Sequence, residues 1–153
     1  DNEAGLEHLS RRTTRDVDIL LRRVDYAAAR RALEAAGFIY RHVTRLGMPG
    51  GIDAFHDGPE HSVREALRIV PAAEKIRPDN VLAAPDVTES EAGDQFRLVT
   101  LSALVRMKLV SFRDKDRTHL RDLIELGLLD SSTIAQLPEL LATRLRQLIE
   151  NPE

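Results

Sequence analysis

The sequence predicts an α+β (or α/β) protein, a mixed sheet with packed helices followed by a helical C-terminal layer. β-type alternation of β-branched and aromatic residues recurs at Val17–Leu21, Phe38–Val43, Ile52–His56, Ala66–Val70 and Phe96–Val99. From residue 101 onward the apolar positions instead repeat at the helical period. The chain has 153 residues, 42% hydrophobic and 31% charged, which suits one soluble domain with a sizeable core. Residues 1–99 are expected to form the sheet core, with an incomplete N-terminus, and residues 100–153 a helical region packed on the same domain.

In Val17–Leu21, the period of two turns Asp16, Asp18 and Leu20 to one face and Val17, Ile19 and Leu21 to the other. A helix follows over Tyr26–Ala36, with Ala29, Leu33 and Ala36 as its apolar positions and Gly37 as its C-cap. Gly47-Met48-Pro49-Gly50-Gly51 is turn material between the strands Phe38–Val43 and Ile52–His56, and Asp57-Gly58-Pro59 closes the second of these. Pro71 ends the strand Ala66–Val70. Residues 72–94, rich in Pro, Asp, Glu and Ala, read as irregular connection with a short strand near Val81-Leu82. Thr100 is the expected N-cap of a helix whose stripe is Leu101, Leu104, Val105, Lys108, Leu109 and Phe112. Further helices are expected over Lys115–Leu126, stopped by Gly127, over Ser131–Gln136 and over Pro138–Glu150.

Several function classes are excluded or disfavoured. There is no cysteine, so disulfides and thiolate metal sites are impossible, and a reducing, cytoplasmic home is expected. No apolar run approaches the ~20 residues of a membrane span. The net charge of −3 argues against a general nucleic-acid coat, and 4% aromatic content supports no base-stacking platform. The histidines His8, His42, His56, His61 and His119 form no zinc-hydrolase pair, and the phosphate-loop, dinucleotide and serine-hydrolase signatures are absent.

Asp16-Val17-Asp18 carries the chemistry. Two carboxylates on one strand face repel unless a cation lies between them, and a hard divalent ion such as Mg²⁺ takes oxygen ligands together with substrate phosphates. That arrangement suits nucleotidyl transfer. The plain alternative has Asp16 capping a turn and Asp18 facing solvent.

The string Arg12-Thr13-Thr14-Arg15-Asp16-Val17-Asp18-Ile19-Leu20 resembles the signature of small bacterial nucleotidyltransferase-like proteins. These include the minimal nucleotidyltransferases and the AbiEii-type toxins of toxin–antitoxin systems. A second resemblance lies in Leu104-Val105-Arg106-Met107-Lys108-Leu109, Arg113-Asp114-Lys115-Asp116 and Leu120-Arg121-Asp122-Leu123. The two span about residues 11–128. The resemblance implies a nucleotidyltransferase-type sheet on which Asp16 and Asp18 hold Mg²⁺. Lys108 would reach the phosphates of an NTP, Asp116 or Asp122 would orient Lys108 or the acceptor, and Arg15, Arg113 and Lys115 would help bind the nucleotide. The acceptor hydroxyl would belong to an RNA end, a protein or a small molecule, and an oligomer is compatible with it.

Two departures stand out. The family's Gly-Ser or Gly-Gly turn does not occur in residues 1–15, so it is expected to precede Asp1. The expected third carboxylate is replaced by Arg68 on the strand Ala66–Val70, which leaves Asp53 as the best candidate third ligand and Glu65 as the next. The basic run of Arg106, Lys108, Arg113, Lys115, Arg117, His119 and Arg121 would grip a triphosphate or an RNA backbone, or else form a solvated face with intrahelical ion pairs. The sequence therefore leads to an Mg²⁺-dependent transferase of nucleoside monophosphate, with a catalytically degenerate binding or scaffold protein of the same fold as the alternative.

Overall fold

β-branched and leucine side chains make Val17–Leu21 a strand, β1, and it pairs in parallel with β4 (Ala66–Pro71), placing Asp18 opposite Arg68 and Ile19 opposite Ile69. A short 3-10 turn at Arg23–Asp25 leads into α1 (Tyr26–Ala35), which stops before Gly37, a residue at φ +96° where a left-handed conformation suits glycine. Antiparallel β2 (Ile39–Arg45) and β3 (Met48–His56) follow, and β3 lies against β4. The sheet order is therefore β1-β4-β3-β2, a mixed sheet with helices in an α+β fold. This computed structural model describes residues 17–45, 48–58 and 66–152.

β3 begins earlier than the sequence suggests. Met48-Pro49-Gly50-Gly51 belongs to the strand rather than to the turn, while Gly47 lies outside the described residues. Val43 pairs with Ile52 and Arg45 with Met48, so Pro49, Gly50 and Gly51 stand against Thr44 alone. Such a bulge accommodates the missing N–H of proline and the positive φ of Gly51, +65°.

α1 covers one face of the sheet, where Tyr26, Ala27, Ala29 and Arg30 approach Leu21, Tyr40, Phe55 and Ile69. Phe55 and Ile69 are buried on that face, and Ala54, Ala66 and His56 on the other. Residues 72–88 are irregular, as composition suggests, and Val81-Leu82 form no strand. This segment is tied back by Ala72 N–H to Leu21 O at 2.8 Å and by a two-point pairing of Arg22 with Asp86 at 2.9 and 2.6 Å. The Arg22 guanidinium holds the Asp86 carboxyl down to about 2.

The chain divides into two compact units at Thr88/Glu89, not at residue 99. The expected strand near Phe96 is β6 (Arg97–Val99), which pairs with β5 (Ser90–Ala92) in a separate two-stranded sheet of the second unit. α2 (Leu101–Ser111) then starts where Thr100 caps it, its side chain accepting the Ala103 N–H at 3.2 Å. α3 (Asp114–Glu125), α4 (Ser131–Ile134) and α5 (Glu139–Glu150) complete the unit. Its core is aliphatic, with Val105, Leu109, Leu120, Leu141 and Leu145 sealed from solvent. Each such leucine contributes roughly 2 kcal/mol by burial. Arg144 of α5 donates to the Leu109 and Val110 carbonyls at 2.5 and 3.0 Å, supplying partners that the end of α2 lacks, and lies over the Phe112 ring.

Of the residues expected to form the stripe of α2, Val105 and Leu109 are buried and Leu101 is exposed, while Ala103 supplies a buried contact that the pattern did not include. Leu145→Ala is expected to destabilise the second unit by about 3 kcal/mol through the cavity it leaves, measurable as a lower urea midpoint; a loss below about 1 kcal/mol would contradict a sealed core at this position.

Candidate functional site

In the first unit, Asp18 leaves β1 beside its register partner Arg68, whose Nε donates to Asp18 Oδ1 at 2.8 Å. Half of the Asp18 side chain is exposed, 51%, against 23% for Arg68. The guanidinium thus provides the opposite charge expected from a metal ion, in a solvent-screened pair worth at most about 1 kcal/mol. Arg15, Asp16 and Glu65 lie outside the described residues.

Asp53 does not join Asp18. Ala54 is the β3 partner of Arg68, so Ala54, Arg68 and Asp18 share one face and Asp53 projects from the other. Among the described residues no three His, Asp or Glu side chains are grouped to hold a metal. The described side chains do not by themselves fit a two-ion centre.

Asp53 instead belongs to a polar group beneath α1. Its Oδ1 accepts the Tyr40 hydroxyl at 2.7 Å and lies 2.9 Å from His42 Nδ1. Gly51 makes the histidine contact possible, because a Cβ there would stand 2.5 Å from His42 Nε2 and 2.9 Å from the Val43 carbonyl. Partial burial pushes the Asp53 carboxyl up, but hydrogen bonds from His42 and Tyr40 outweigh it and hold the group below its ordinary value.

In the second unit, α2 and α3 bring together residues that the sequence separates. Lys108 Nζ lies 2.8 Å from His119 Nδ1 and 3.7 Å from Asp116 Oδ1. An ammonium has only protons to give, so Nδ1 accepts and this pairing requires a neutral imidazole protonated at Nε2. Asp116, only 3% exposed, accepts from Ser111 Oγ at 2.6 Å, from the Arg113 N–H at 3.2 Å and from Arg113 Nε at 2.9 Å. Burial pushes its pKa up, yet these donors outweigh burial and hold the carboxyl below its ordinary value. Asp122 lies further along α3, half-buried, and Lys115 is exposed.

Much of the basic run is charge-compensated. Arg106 pairs with Glu89, Arg113 with Asp116 and Arg117 with Asp114. Intrahelical and local ion pairs therefore describe this stretch better than an open cationic groove does. Arg113 holds the start of α3, and Lys108 is the cation whose head is fixed by two neighbours.

No protein-family model, curated protein or solved structure matches this chain.

Sequence reasoning missed Ser111 as a partner of Asp116 and missed the Tyr40–His42–Asp53 group. For Ser111, the spacing to Asp116 across a helix–helix corner was an available signal. For the second group, the register needed was hidden by the bulge.

Asp116→Ala would leave three donors without their acceptor and is expected to cost about 3 kcal/mol, read as a lower unfolding midpoint. Because the folded carboxyl titrates below its unfolded value, its stabilisation is full above the unfolded pKa and is lost as pH falls through the folded one. Wild-type stability should therefore decline below about pH 4 more steeply than that of Asp116→Asn; parallel acid limbs would show that this carboxylate adds no such linkage.

Proposed function

We propose that the chain is a nucleotidyltransferase-like protein that transfers a nucleoside monophosphate from an NTP to a hydroxyl acceptor. The observation that supports this reading is the Lys108 ammonium fixed by Asp116 and His119, the half-buried cation that phosphate recognition requires. Lys108 would meet the phosphate oxygens, and Asp116, by orienting Lys108 rather than touching substrate, would act as a positioning residue. Mg²⁺ enters this reading through Asp16 and Asp18; an NTP substrate accords with a cytoplasmic protein. Among the described residues no helix is long and apolar enough to cross a membrane.

The Arg68–Asp18 ion pair favours a second reading, a nucleotidyltransferase-fold protein that binds without catalysis, as a scaffold or a toxin–antitoxin component. Here the guanidinium is the permanent partner of the carboxylate.

Incubating the full natural chain with Mg²⁺ and each labelled NTP, and following nucleotide binding and label transfer separately, distinguishes the two. Transfer that falls about a hundredfold in Lys108→Ala and is abolished in Asp18→Ala supports the enzyme. Nucleotide binding without transfer, unaffected by Asp18→Ala, supports the binding protein. Absence of nucleotide binding to the wild-type chain would overturn the enzyme.

A further inference from the structure

α1 and the sheet face beneath it frame a partly open cavity of about 260 Å³ in the first unit. It lies on the Asp53 face and so is separate from the Asp18 side of the sheet. Leu21, Ala27, Ala29 and Ile69 make its wall apolar, and Tyr26, Tyr40 and Phe55 add three aromatic rings. Asp53 is the carboxylate on this lining. Drug-sized sites span roughly 300–1,000 Å³, so this one suits a smaller guest, such as a single ring with a short arm.

The charges around the cavity decide what that guest carries. Arg30 lies 3.8 Å from the Tyr40 ring centroid and pairs with Glu34 at 3.1 Å. Arg23 lies 5.6 Å from the Tyr26 ring centroid and pairs with Glu74 at 2.7 Å. Each arginine is therefore matched by a glutamate. Among the described residues, the close partners of Asp53 are a tyrosine hydroxyl and an imidazole, with Arg23 acting from further away, and both of its described hydrogen-bond contacts fall on Oδ1. Among the described residues around the cavity, two guanidiniums stand against three carboxylates, with the His42 imidazole beside Asp53, in an aromatic, apolar setting. Aromatic faces attract organic cations through the ring quadrupole, and a nearby carboxylate adds direct attraction. The protein's own guanidiniums already use the two tyrosine rings in this way.

We infer that this cavity is a binding site for a small organic cation, an ammonium group on an apolar body, with Asp53 as its counter-ion and the Tyr26, Tyr40 and Phe55 rings as its walls. The apolar body displaces water from the alanine and leucine surface, and the ammonium meets the Asp53 carboxylate. Anions and neutral molecules of the same shape gain only the first of these contributions.

The test uses benzylammonium and, as its neutral equivalent in shape, benzyl alcohol, each titrated into the full chain and followed by NMR. Benzylammonium is expected to bind with Kd of about 1 mM, at least fivefold tighter than the alcohol, by order of magnitude about the worth of one exposed charge contact. Asp53→Asn should weaken the cation roughly tenfold while leaving the alcohol unchanged. Ala29→Leu, which places a strong helix former into the cavity, should exclude both ligands while circular dichroism remains native. Equal affinity of the two probes for the wild-type chain would overturn the assignment, as would cation binding that Asp53→Asn leaves intact. Failure of benzylammonium to perturb the Tyr26, Tyr40 or Phe55 resonances would overturn it as well.

Discussion

A buried carboxylate constrains the second unit more than any other single group. Asp116 stands at the junction of α2 and α3, almost sealed from water, and a charge in that setting must find donors or become neutral. The chain provides them locally. Ser111 ends α2, Arg113 precedes α3, and the corner between them turns through Phe112 at φ +47°. Satisfying the carboxylate therefore fixes the angle at which the two helices leave the corner, and that angle brings Lys108 within reach of His119. The leucines of α2, α3 and α5 then close around a frame that the polar contacts have defined.

In the first unit the corresponding constraint is the two-residue period of a strand. Because β4 lies between β1 and β3, its Arg68 faces Asp18 on one neighbour and Ala54 on the other. A shift of β3 by one position would turn Asp53 toward the Asp18 face, but it would also turn Phe55 away from the helix-covered core that it shares with Ile69. Apolar burial thus decides the separation of the two aspartates. The ion pair that Asp18 forms is a consequence of a register chosen elsewhere in the sheet.

Much of this architecture was legible in the sequence. β1 matches its expected bounds, α1 ends at the predicted glycine, and Thr100 caps α2, because alternation, glycine and capping chemistry are local signals. The partners were less legible. Simple hairpin pairing from Arg45 opposite Met48 would set Tyr40 against Asp53, whereas the bulge moves His42 there. Phe96 looked like strand core, yet it is 67% exposed at the end of a two-stranded hairpin. Hydropathy cannot tell a strand that joins a large sheet from one that joins a single partner. In the candidate site, the resemblance offered Asp116 or Asp122 as a partner for Lys108 or the acceptor, but the contacts of Lys108 with Asp116 and His119 depend on the helix–helix angle, which no residue spacing states.

Arg144 gives the second unit a direction in time. Its contacts reach back 34 and 35 residues, to the carbonyls that end α2. During synthesis α2 and α3 emerge first, and until α5 follows, those carbonyls and the Phe112 ring lack the guanidinium that finishes them. The Leu141 and Leu145 side chains that seal the core arrive with the same helix. The helical unit is therefore expected to complete its folding late, when α5 has left the ribosome, whereas β1 through β4 can pair with one another well before that point.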